Sequence, residues 1–136
     1  MTSRPTERDV AAIAALNNLF APEGKTLHRT PEFVEEHLAD YRVLRGEDGR
    51  LAGCVAIDEY SPSVAELVGL AVLPTARGRG YGVLLIEAIA DLARRRGYEY
   101  LFAVSFSEEI FEACGFAKVK LDEFPEKILR YTRIDR

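Results

Sequence analysis

A chain of 136 residues with 48% hydrophobic and 29% charged side chains can bury one core, and it is too apolar to remain disordered. Its formal charge of −4 argues against a general nucleic-acid binder, which needs a basic face to neutralise phosphates. Cys54 and Cys114 lie far apart in apolar settings, so no disulfide framework is indicated and a reducing compartment fits. His28 and His37 have no partner at metal-ligand spacing. No apolar run approaches the roughly 18 residues of a membrane span, and the N-terminus has no apolar stretch of the kind that marks a secretory signal. The expectation is one soluble, cytoplasmic domain over residues 1–136, with no metal.

In chain order, Thr6 caps a first helix with Asp9 three residues on, and Val10, Ile13, Ala14 and Leu16 supply its apolar face. "APEGKT" breaks it. Thr30 and Pro31 start a second helix, with Phe33, Val34 and Leu38 inward. Residues 41–45 read as a strand, "GEDGR" as a turn and residues 51–58 as the returning strand. "YSPS" interrupts, and residues 65–73 form a very apolar third strand ending at Pro74. Residues 80–96 make the longest helix, with Leu84, Leu85, Ala88, Ile89 and Leu92 as its stripe. Arg94, Arg95 and Arg96 suit its C-terminal dipole, and Gly97 closes it. A strand over 98–104, a short helix over 108–114 and strands over 116–121 and 129–134 complete the order. That order predicts an α/β fold with a mixed sheet covered by helices.

The most informative stretch is "RGRGYG", residues 77–82, between the third strand and the longest helix. The first amides of a helix lack intrahelical acceptors and sit at the positive end of its dipole. Glycines let such amides converge on an anion and let phosphate approach the backbone. Arg77 and Arg79 add charge. The pattern therefore reads as a phosphate or pyrophosphate cradle, against the plainer reading of a basic connector. A Rossmann fingerprint is excluded by the spacing of Gly78, Gly80 and Gly82, and a P-loop by the absence of G-K-[ST].

Arg77-Gly78-Arg79-Gly80-Tyr81-Gly82 resembles the R/Q-x-x-G-x-G/A acyl-CoA pyrophosphate motif of the GNAT superfamily of N-acetyltransferases. "AELVGLAVLP" before it and "EEIFEACGF" after it resemble that family too. "RPTERDVAAIAAL", "LHRTPEFVEEHL", "LAGCVAI", "LFAVS" and "FPEKILRY" narrow the resemblance to the acetyltransferase domain of the N-acetylglutamate synthases. It covers nearly the whole chain and is to the stand-alone short form, without the amino-acid-kinase-like domain that usually precedes this one.

The resemblance implies a mixed, mostly antiparallel central sheet, splayed at an acyl-CoA cleft and with helices on both faces. It implies acetyl transfer from acetyl-CoA to the α-amine of an amino acid, with L-glutamate as acceptor, by direct attack in a ternary complex. The backbone of Leu70, Ala71 and Val72 would hold the pantetheine arm, and Arg77, Gly78, Arg79, Gly80, Tyr81, Gly82 and Val83 the pyrophosphate. The Leu70 amide would face the oxyanion. Glu66 would be the general base, with Glu59 its rival. Superfamily members often carry a tyrosine general acid; "VSFSEEIFEACGF" has none, and Ser105 matches the serine assigned that role in the synthases. Arg29, Lys127 and Arg130 match their acceptor-binding segments, where guanidinium forks suit carboxylates. Each of these cations, read alone, is a solvated surface charge. Single-domain relatives pair through sheet edges or C-terminal strands, so a homodimer fits. The alternatives are transfer to another small amine and a CoA-binding module without catalysis.

Overall fold

The computed structural model describes residues 1–104, 108–117 and 131–133. Strand β1 (Thr2–Ser3) leads into a 3-10 turn and helix α1 (Val10–Leu19). A second 3-10 turn and helix α2 (Pro31–Glu36) follow, and a third turn enters strand β2 (Tyr41–Arg45). Strands β3 (Leu51–Ser61) and β4 (Val64–Val72), helix α3 (Tyr81–Arg96), strand β5 (Tyr100–Phe102), helix α4 (Glu108–Ala113) and strand β6 (Tyr131–Arg133) complete it. Among the described residues these strands form one six-stranded sheet in chain order. All neighbours are antiparallel except β4 and β5, which run parallel.

The helices cover both faces, as the alternation within β3 requires. Cys54 and Ala56 pack with Val10, Ile13, Ala14 and Leu16 of α1 and Val34 of α2. Val55 and Ile57 pack on the other face with Leu85, Ile86 and Ile89 of α3 and with Phe111. A strand buried on both sides needs no polar residue between its apolar ones, which is why "LAGCVAI" reads as an unbroken run.

Several local signals act as their chemistry dictates. The Thr30 hydroxyl accepts the Phe33 N–H at 3.1 Å, with Pro31 in the first helical position. The Thr6 N–H donates to the Asp9 carboxylate at 2.8 Å. Gly97 closes α3 in the left-handed region, at φ 84°.

Four expectations need correction. The stripe of α3 runs through Leu85, Ile86, Ile89, Ala90, Leu92 and Ala93, whereas Leu84 is 41% exposed. Residues 85, 89 and 92 were read correctly, but the flank buried beside them is 86, 90 and 93 rather than 84 and 88. Strand β3 continues through Tyr60 and Ser61, leaving Pro62 and Ser63 as the turn. The Tyr60 ring meets Phe102 edge-on at 5.4 Å, a contact that the turn-rich sequence does not announce. Strand β5 is shorter than 98–104 because its pairing with β4 stops at Phe102. Strand β1, only two residues long, has no readable periodicity and was missed. The strand over 116–121 lies largely outside the described residues.

One ion pair ties the N-terminal turn to the sheet. Arg45 Nη2 lies 2.8 Å from both oxygens of buried Asp9. Burial alone would raise the Asp9 pKa, but the Thr6 N–H and the Arg45 guanidinium hold it below 3.8. The stabilisation is therefore full above pH 3.8 and is lost as pH falls through the lower folded value. Asp9→Asn should lower the free energy of urea unfolding by about 1–2 kcal/mol at pH 7. The deficit should shrink at acid pH, where the wild-type carboxyl is already protonated. An unchanged midpoint at pH 7 would contradict the assigned role.

Candidate active site

Among the described residues, strand β4 has partners on both sides only over its first residues. Val64, Ala65 and Glu66 pair with Tyr100, Leu101 and Phe102, and the β4–β5 ladder then ends. On the other edge β4 stays paired to β3 as far as Val72. Among the described residues, 67–72 thus have one edge with no strand paired to it. A cleft of about 710 Å³ opens there. Ala103 and Val104 after β5, and Ile110 and Phe111 of α4, form part of its opposite wall.

A bulge shapes the open stretch. Cys54 pairs with Ala71, but Ala56 pairs with Val68, so Gly69 and Leu70 together oppose Val55. Gly69 carries φ +62°, which a side chain would strain. The extra residue resets the alternation, so Leu70 and Val72 pack toward α3 while Ala71 packs toward α1.

The glycine turn leads from the end of this strand into α3. Gly78 and Gly80 have φ of 84° and 77°, and an added Cβ at either would meet nothing within 4 Å. These glycines are present for backbone conformation rather than close packing. Gly80 is the N-cap of α3, no side chain caps it, and the first turn carries no acid. The leading amides of this 16-residue helix therefore keep their positive character at its N-terminus. Arg77 and Gly82 border the cleft, and the Arg77 guanidinium lies 5.6 Å over the Phe20 ring. Gly78, Arg79, Gly80, Tyr81 and Val83 lie outside its wall.

Glu66 lines the cleft at the point where the ladder ends. It sits directly across from Asp58 on β3, a second cleft-lining carboxylate on the same face, which sequence reading missed. The antiparallel register was the signal that could have found it. Glu59 points elsewhere: its carboxylate accepts the Tyr98 hydroxyl at 2.8 Å, and it does not line the cleft. Burial, and then that contact, push the Tyr98 phenol up to about 12.

Arg29 reaches the same cleft from the segment before α2. Asn18 fixes its peptide in both directions, accepting the Arg29 N–H at 2.8 Å and donating to its carbonyl at 2.7 Å. The Arg29 guanidinium lies 4.2 Å over the Phe33 ring, and Phe33 stacks on His37 at 4.0 Å. Tyr41 lies below, buried, with its phenol pushed up to about 12 by burial first, so it stays protonated. Neither thiol is an activated nucleophile. Burial raises Cys54 to about 12, and burial and Glu87 raise Cys114. Ser105, Lys127 and Arg130 lie outside the described residues. Among the described residues no group of acids, histidines and cysteines could hold a metal ion, and no helix is long and apolar enough to cross a membrane.

The chain is 38% identical over 120 residues to an amino-acid acetyltransferase of Neisseria meningitidis, covering 87% of this chain and 27% of that protein. It therefore spans about a quarter of that relative's length. It is 33% identical over 122 residues to an uncharacterised N-acetyltransferase of Chlorobaculum tepidum, covering 90% of this chain and 78% of the relative. The crystal structure of N-acetylglutamate synthase from Neisseria gonorrhoeae, complexed with coenzyme A and N-acetyl-glutamate, superposes with a TM-score of 0.87 at 31% identity. That match covers all of this chain and 35% of the synthase. The acetyltransferase (GNAT) family model matches residues 11–118, and the chain belongs to that family.

Proposed function

We propose that this chain transfers acetyl from acetyl-CoA to the α-amine of an amino acid, with L-glutamate as the acceptor. The observation that carries the reading is the parting of β4 from β5. Among the described residues it leaves 67–72 with one unpaired backbone edge, between the N-terminus of α3 and the carboxylate of Glu66. An extended amide-bearing arm can pair with such an edge as a strand would. The amides that open α3, with Arg77 and Arg79, suit the pyrophosphate. The names of the amino-acid acetyltransferase relatives support the acceptor class, and the synthase complexed with N-acetyl-glutamate supports glutamate.

In this reading Glu66 takes a proton from the acceptor ammonium, directly or through one water. The freed amine attacks the thioester carbon, and the Leu70 amide donates to the oxygen as negative charge builds there. Collapse of the tetrahedral intermediate releases the CoA thiolate, to which Ser105 is assigned as proton donor by resemblance alone. Arg29 binds a carboxylate of the acceptor, held in place by the Asn18 clamp on its peptide.

Free-thiol release from acetyl-CoA, with L-glutamate and then a panel of other amines, tests the proposal. Turnover with glutamate supports it. Turnover only with another amine would discard the acceptor, and tight CoA binding with no turnover would point to a binding module. Glu66→Gln should lower kcat/KM by about 10²- to 10⁴-fold while CoA affinity measured by calorimetry stays unchanged. Full activity in that variant would remove the assigned base. Arg29→Ala should raise KM for glutamate by about 10- to 100-fold with little effect on CoA binding. Arg29→Lys should restore only part of this, because an ammonium lacks the planar fork. An unchanged KM in Arg29→Ala would remove Arg29 from the acceptor site.

A further inference from the structure

Asn17 is 2% exposed, yet it lines the cleft. Its Nδ2 donates to the Leu27 carbonyl at 2.6 Å and to Asn18 Oδ1 at 3.1 Å. A carbonyl can only accept, so the contact with Leu27 fixes which end of the amide is nitrogen. Oδ1 must then face the other way, and it does: it lies 3.0 Å from the position a Cβ on Gly69 would take. No donor among the described residues meets it. The backbone carbonyl of Asn17 is occupied separately, by the buried Thr26 hydroxyl.

A buried acceptor without a donor is uncommon and calls for an explanation. Gly69 is the bulge residue immediately before Leu70, and it lines the same cleft. A Cβ at Gly69 would stand 3.0 Å from Oδ1, so any side chain there would crowd that oxygen as well as strain the backbone. Oδ1 thus lies against the residue just before Leu70, in the lining of the cleft that Arg29 also borders.

We propose that Asn17 Oδ1 accepts a hydrogen bond from the reacting nitrogen of the acceptor amine. This rests on the acetyl-transfer reading and adds a substrate-binding residue to it. An ammonium carries three N–H groups. One can go to Oδ1 and another toward Glu66, which leaves the nitrogen lone pair that forms on deprotonation directed at the acetyl carbon. The same oxygen would disfavour any acceptor that brings an anionic oxygen to that point.

The test is a comparison of wild type, Asn17→Leu and Asn17→Asp, in steady-state thiol release at saturating acetyl-CoA, with CoA affinity and thermal midpoint measured alongside. Both variants lose the donor to Leu27, but only Asp keeps an oxygen acceptor. Asn17→Leu should lower kcat/KM for the amine by about 10- to 100-fold with CoA affinity within about threefold of wild type. Asn17→Asp should recover a substantial part of that loss. Equal losses in the two variants, tracking their thermal midpoints, would show that Asn17 only holds the loop and would overturn the inference. So would a fully active Asn17→Leu. Absence of wild-type turnover with every amine tested would instead sink the acetyl-transfer reading, and this inference with it.

Discussion

The cleft depends on one interruption: the β4–β5 ladder stops after Glu66 and Phe102. Backbone amides and carbonyls bind hydrogen-bond partners wherever they are buried. A strand held by β3 on one edge and left open on the other is therefore stable only if something else meets that edge. Here the extended edge, the helix N-terminus and the base candidate follow one another along a short length of chain. The bulge at Gly69 and Leu70 adds a residue within that length and shifts the alternation by one, so Leu70 and Val72 face α3 and Ala71 faces α1. In the proposed reaction β4 beyond Glu66 acts through its backbone, which is compatible with an apolar sequence packed on both faces.

The second wall of the cleft is built by side-chain amides. Asn17 and Asn18, at the end of α1, hold the peptides of Leu27 and Arg29. The segment between α1 and α2 has one three-residue 3-10 turn and a left-handed Gly24, and little regular backbone bonding of its own. The two asparagines therefore supply what helix or sheet would supply elsewhere. Phe33 and His37, one helical turn apart, stack and carry the Arg29 guanidinium over the Phe33 ring. Binding of an acceptor carboxylate would then draw on a cation that is already positioned.

Much of this was legible in the sequence, where the signal was local. Thr30-Pro31, Gly97 and the glycine turn announce themselves by residue type alone, and each occupies its expected place. Glu66 could be singled out because a carboxylate in an apolar strand is conspicuous. Asp58 could not, because only the β3–β4 register brings it opposite Glu66. Asn17 and Asn18 carry no local signal, since their partners lie ten or eleven residues away. Leu84 was misread because the helix stripe is wide enough to be drawn on either flank of Leu85 and Ile89. Arg29 was reached through resemblance; its peptide clamp and its ring partner are tertiary facts.

Amide hydrogen exchange with and without coenzyme A reads the backbone edge of β4 itself. Strong new protection is expected at the amides of Leu70 and Val72 and at Tyr81, Gly82 and Val83, with little change across β2 and β3. Saturating binding with no protection at β4 or at the start of α3, or protection confined to the opposite face of the sheet, would contradict the proposal.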